Sequence, residues 1–121
     1  MAQVLNKGGL FVFDICTERN SRSHFQNYTE KDGTDRFTYT RKSYYIKEEK
    51  LQINEFIIIW HGDKEEEQVF KEKHLQRIYK INEIESIISP ESFEVVGKYD
   101  GFTRRAGSEK SFRIHFLLRK I

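Results

Sequence analysis

The stretch Leu5-Asn6-Lys7-Gly8-Gly9-Leu10-Phe11-Val12-Phe13-Asp14-Ile15 decides how the rest of the sequence is read. Residues 1–6 read as the end of a helix, closed by Gly8 or Gly9 at the positive φ that glycine adopts without penalty. The apolar run that follows predicts a strand over 10–15, and its continuity predicts cover on both faces. Such a joint belongs halfway through an open α/β sheet. With so little chain ahead of the turn, the neighbour that would pack before this strand is expected to be missing.

Composition narrows the function classes. The 121 residues suffice for one domain with a modest core. An apolar fraction of 37% is low against the usual ~45–50%. Charged residues make up 33%, yet 21 basic against 19 acidic side chains leave a net charge of only +2. That balance gives no reason to expect nucleic acid or a membrane as partner. Cys16 is the single cysteine, so an intrachain disulfide framework is excluded. The apolar run 56–60 is far short of the ~20 residues a membrane span needs, and a cytoplasmic protein is expected. One proline and 14% aromatic residues argue against disorder.

Further along, residues 16–35 turn polar and read as a loop with a helical turn or two near Thr17–Phe25. Residues 36–79 are rich in β-branched and aromatic side chains and carry two charged turns, Lys47-Glu48-Glu49-Lys50 and Gly62-Asp63-Lys64-Glu65. They predict three antiparallel strands. Pairing Ile46 with Leu51 and His61 with Glu66 sets Phe37 opposite Trp60. It also sets Tyr39, Ile58 and Val69 in one row and Lys42, Glu55 and Glu72 in another. A slip of one residue would reverse every face. Asn82 as N-cap, with Glu85 three positions on and isoleucines at helical spacing, predicts a helix over 82–89 that Pro90 stops. Strands are expected over 93–101 and 111–119. The whole is an α+β chain: residues 1–17 and 80–121 form one part, and 36–79 an inserted sheet.

The order Gly-Gly turn, apolar strand, Asp, inserted antiparallel sheet, short helix, strand, loop, terminal strand resembles the C-terminal half of class I S-adenosylmethionine-dependent methyltransferases. Leu5-Asn6-Lys7-Gly8-Gly9 is similar to the family's Leu-x-Pro-Gly-Gly turn, with Lys7 where proline is usual. His74-Leu75-Gln76-Arg77-Ile78-Tyr79 before Asn82-Glu83-Ile84-Glu85-Ser86-Ile87-Ile88 looks like a segment of the branch with an inserted sheet. Ser92-Phe93-Glu94-Val95 resembles its Gly-Phe-Glu-Val strand start. The resemblance implies a Rossmann-like remnant carrying an inserted three-stranded sheet. S-adenosylmethionine is implied for the complete protein and a small molecule as its substrate. The family's glycine-rich loop after the first strand and its acidic residue ending the second have no counterpart here. No cofactor is therefore expected for this chain alone, which reads as the substrate-side portion, inactive by itself. Met1 as an internal methionine of a longer frame, the start of a truncated gene, or a boundary set by cloning all fit.

Within this resemblance the substrate-side candidates are Asp14, Thr17, Trp60, His74, Gln76, Arg77 and Tyr79. Asp14 stands where open α/β sheets place ligand contacts, or is a turn or helix cap. His74, Gln76 and Arg77 line a substrate cavity under the inserted sheet with Tyr79 at its base, or form a solvated strand edge. Trp60 covers the core or stacks on a ligand. The four histidines show no metal-motif spacing, His61 and His74 being about 25 Å apart along the expected hairpin, and Cys16 has no signature of a nucleophile. With one sheet neighbour missing, the edge of strand 10–15 invites self-association or pairing with a complementary N-terminal half. The alternative function is a free-standing β-rich binding or assembly module for a protein or, less expected, a single-stranded nucleic acid.

Overall fold

Ile114, Phe116 and Leu118 are the most deeply buried apolar side chains, and their spacing of two puts them on one face of a strand. The computed structural model describes residues 1–62 and 67–121. The elements run β1 (Leu10–Cys16), α1 (Glu18–His24), β2 (Tyr28–Gly33), β3 (Phe37–Ile46), β4 (Leu51–Trp60), β5 (Gln68–Arg77), α2 (Ile81–Ile87), β6 (Phe93–Asp100) and β7 (Arg113–Lys120). They divide into a first unit, Met1–Asn20 with Ile78–Ile121, and a second, Ser21–Arg77.

The first unit is built around β7, which lies between β1 and β6 and is antiparallel to both. One face of this sheet packs on α2, where Ile84, Ile114 and Phe116 meet Phe13, Ile15, Ile81 and Ile88. The rings of Phe13 and Phe116 stack at 5.0 Å. The N-cap of α2 is Lys80, two residues before the expected Asn82, because Glu83 accepts the Lys80 backbone N–H at 2.8 Å and Glu109 accepts that of Ile81 at 2.8 Å. Those carboxylates satisfy amides that the helix itself leaves open. It ends at Ile87, ahead of Pro90, as expected.

Two expectations fail here. Residues 1–6 form turns and no helix, with Val4 N–H bonded to Met1 O at 3.1 Å. So short a segment cannot offset the cost of helix nucleation without an apolar face to bury, and Val4 is exposed. Gly8 nevertheless takes the expected positive φ, at 80°. Strand β1 is also not covered on both faces. Phe11, Phe13 and Ile15 are partly buried, whereas Leu10 and Val12 are 56% and 57% exposed. A helix covers one side of the sheet only, and β1 stands at its edge.

The second unit is a four-stranded antiparallel sheet, β2-β3-β4-β5, not a three-stranded one. The added strand is β2, whose Tyr-Thr-Glu-Lys-Asp-Gly sequence carries almost no apolar signal because most of it faces solvent. Between β3 and β4 the expected register holds, with Ile46 opposite Leu51 and Phe37 opposite Trp60. Strand β5 slips by one residue: Ile58 pairs with Phe70 and not Val69, and Glu55 with Lys73 and not Glu72. Glu66, the expected partner of His61, and residues 63–65 of the expected turn lie outside the described residues. Charge decides the slip. The expected register sets two glutamates opposite each other, which is unfavourable across strands. The observed one makes the row Lys42, Glu55, Lys73, with Glu55 and Lys73 3.8 Å apart.

Glu55→Lys puts three lysines in that row and is expected to cost roughly 1 kcal/mol, read as a lower urea midpoint. Glu72→Lys, on the opposite face, is expected to cost less; the reverse order would restore the other register.

Candidate functional site

Because side chains alternate along each strand, the observed register sorts the second unit into two faces. One carries Tyr28, Glu30 and Asp32 from β2, then Phe37, Tyr39, Arg41, Ser43 and Tyr45 from β3. From β4 and β5 it carries Gln52, Asn54, Phe56, Ile58 and Trp60, then Phe70, Glu72, His74 and Gln76. Polar and aromatic groups interlock on it. Arg41 Nε–H donates to Ser43 Oγ and its Nη2–H to Asn54 Oδ1, both at 3.0 Å, while Ser43 Oγ–H donates to Asn54 Oδ1 at 2.6 Å. The guanidinium carbon lies 4.8 Å from the Phe25 ring centre, 5.9 Å from that of Tyr28 and 5.8 Å from that of Phe56. Attraction of the cation to three ring faces adds to the hydrogen bonds in fixing its place.

The segment bearing Phe25 is itself fastened to the sheet. Buried Gln52 donates from Nε2 to the carbonyls of Phe25 and Tyr44, each at 3.1 Å. Its Oε1 is buried and meets no donor among the described residues. On the far side of Phe56, the His74 ring lies 5.3 Å away, and its Nε2 is 2.9 Å from Glu72. Toward the other end of the face, partial burial, then the carboxylates of Glu30 and Asp32, push the Tyr39 phenol above its ordinary pKa, the former also by a hydrogen bond. The opposite face holds a groove of about 310 Å³ among Lys42, Glu55, Ile57, Lys71 and Lys73.

The seven expected site residues are divided between the two units. His74 and Gln76 share the Arg41 face, and Trp60 lies on it at the far end, opposite Phe37 and Gln68. Arg77 ends β5 on the other face, opposite Leu51. The remaining three belong to the first unit. Asp14 forms an ion pair with Arg113. Thr17 is buried, its hydroxyl donating to the carbonyls of Ser111 and Phe112 and accepting the Asn20 N–H, so it caps α1. Tyr79 follows β5 and is 41% exposed. Arg41, Ser43, Asn54 and Phe56 were not singled out in the sequence, although the Ile46–Leu51 turn already placed them on one face. Among the described residues no three His, Cys, Asp or Glu side chains converge to hold a metal ion. Among the described residues no helix is long and apolar enough to cross a membrane.

No protein-family model matches this sequence, and no curated protein matches it significantly. Solved structures do. The chain is similar to a S-adenosylmethionine-dependent methyltransferase from Clostridium acetobutylicum, with TM-score 0.74 and 23% identity over 98% of this chain and 47% of that one. It is similar to the CcbJ methyltransferase from Streptomyces caelestis, with TM-score 0.65 and 17% identity over 98% and 46%. A third is S-adenosylmethionine-bound CalS10, an amino pentose methyltransferase from Micromonospora echinaspora, with TM-score 0.64 and 16% identity over 100% and 48%. The chain thus has an α+β fold seen in these methyltransferases and spans about half of their length.

The raised Tyr39 pKa has a direction in stability. Its contribution is complete below the unfolded value of ~10 and is lost as pH rises through the folded value, because the unfolded phenol ionises first. Glu30→Gln is expected to bring the Tyr39 ionisation down toward that ordinary value in an NMR-detected titration; an unchanged or higher value would count against the carboxylate's part.

Proposed function

We propose that the chain is the substrate-side portion of a small-molecule S-adenosylmethionine-dependent methyltransferase, corresponding to the C-terminal half of that fold, and that methyl transfer needs a cofactor-binding complement. The observation that carries this reading is the match of 98% of the chain, at TM-score 0.74, to 47% of a methyltransferase. In such a protein the present chain would orient the acceptor atom toward the methyl donor, since catalysis of this kind rests on proximity and alignment. A cytoplasmic setting is part of the reading.

The glycines at hand do not fit the cofactor. Gly8 N–H is bonded to Lys120 O at 2.8 Å and Gly9 N–H to Asn6 O at 2.9 Å. These amides are spent, one on β7 and one inside the turn, and cannot cradle a ligand, as the glycine loops of nucleotide-binding sheets do. The complement would have to bring that loop. Strand β1 offers it a place: among the described residues it pairs only with β7, and Leu10 and Val12 stand exposed on the uncovered face. An edge of this kind also favours pairing with a second copy when the chain is alone.

The test uses the chain by itself. Light scattering after gel filtration is expected to show self-association that Val12→Lys reduces, and calorimetry is expected to show no saturable binding of S-adenosylmethionine. Saturable binding by the isolated chain would overturn the need for a complement. A clean monomer at high concentration would overturn the edge's role.

A further inference from the structure

Arg41 holds its guanidinium as a fixed fork with one edge filled and the other open. Nε–H and one Nη2–H form the filled edge, bonded to Ser43 Oγ and Asn54 Oδ1. The other edge, made of Nη1–H and the second Nη2–H, meets no acceptor among the described residues. Both partners on the filled edge are neutral, so they orient the group without cancelling its charge. Nor is the arginine required to satisfy them, since Ser43 Oγ–H already donates to Asn54 Oδ1 at 2.6 Å. The carboxylates on the same face are engaged elsewhere. Glu30, directly across on β2, acts on the Tyr39 phenol and raises its pKa, and Glu72 lies 2.9 Å from His74 Nε2.

We propose that Arg41 is an oxyanion-binding residue, its open edge receiving the paired oxygens of a carboxylate or phosphate group on a small-molecule ligand. Two parallel N–H donors match two oxygens of either group, a geometry a lysine ammonium lacks. The rings of Phe25, Tyr28 and Phe56 restrict the guanidinium before any ligand arrives, so little side-chain freedom is lost on binding. The assignment rests on the second unit's geometry alone and stands whether or not the chain takes part in methyl transfer.

The experiment is an NMR titration of the full chain with sodium acetate and, separately, methyl phosphate, at constant ionic strength maintained with chloride. The Arg41 Nε–H and the amides of Tyr28, Arg41 and Asn54 are followed. Saturable shifts at these groups, absent with chloride alone, are expected for at least one of the two anions. A response to acetate alone assigns a carboxylate, one to methyl phosphate alone a phosphate, and one to both the shared oxyanion chemistry. Arg41→Lys keeps the charge and loses the fork, and is expected to weaken the affinity about tenfold or more. Asn54→Asp keeps Arg41 but sets a carboxylate on its filled edge, and is expected to abolish the response. Each variant is read only with native amide dispersion. The proposal is overturned if neither anion saturates, if Arg41→Lys binds as tightly as the parent, or if the Asn54→Asp response persists.

Discussion

The pairing of Glu55 between Lys42 and Lys73 is the constraint on which the second unit turns. Strand β4 is held on one side by the Ile46–Leu51 turn, which fixes its register against β3. On the other side β5 could slide, and its sequence of mixed charges does little to stop it except at this row. A shift of one residue would bring Glu72 opposite Glu55 and turn His74 and Gln76 to the other face. The modest energy of one cross-strand charge pair, a fraction of ~1 kcal/mol, therefore selects between two different surfaces. With the pair in place His74 lies over Phe56, Phe56 over Arg41, and the polar ring of Arg41, Ser43 and Asn54 is completed on the same side.

The first unit is organised differently, by burial. Strand β7 supplies Ile114, Phe116 and Leu118 to one face and is flanked by strands on both edges. Helix α2 covers that face, and the carboxylates of Glu83 and Glu109 fix where the helix begins. The other face carries Leu10, Val12, Asp14 and Arg113. Apolar side chains there stay exposed while a charged pair sits among them, the pattern of a surface with an apolar part and a polar part. Burying the two aliphatic side chains against a partner would gain on the order of 1.5–3 kcal/mol each at full burial. That gain is the physical reason to look for a partner on this side and not on the helix side.

Most of the first unit was legible in the sequence because its signals are local. A glycine at positive φ, a proline after a helix and an alternating apolar strand each act within a few residues. Strand β1 misled for a related reason: Leu10-Phe11-Val12-Phe13 is apolar throughout, so the run carries no mark of which side is covered. Strand β2 could not be read, because Tyr28 is almost its only apolar residue and its existence depends on hydrogen bonding to β3. The register of β5 was within reach. Glu72 opposite Glu55 is a like-charge pair, and a shift of one residue exchanges it for Glu55 opposite Lys73. Thr17, His74 and Asp14 were named for their positions in a resemblance; the structure gives the first a capping role and the last an ion pair with Arg113. The Arg41 ring was missed because its members are spread over two strands and are unremarkable singly.

Similarity to methyltransferases at 16–23% identity carries the fold and leaves the chemistry to be argued from side chains. Here the two levels point in compatible directions by independent routes. The fold match leaves a sheet edge and an apolar face that a second polypeptide could cover. The second unit, by contrast, holds an oriented cation, Arg41, whose hydrogen-bond partners are neutral. An arginine placed only to strengthen a sheet would find its charge answered by a carboxylate across the strand, and the residue across from Arg41 is indeed Glu30. That carboxylate acts instead on Tyr39, raising the phenol's pKa, and the guanidinium is left with neutral acceptors on one edge and, among the described residues, none on the other. An arginine held by neutral partners, while the carboxylate across from it acts on a phenol, is the setting in which an anion from outside would be received.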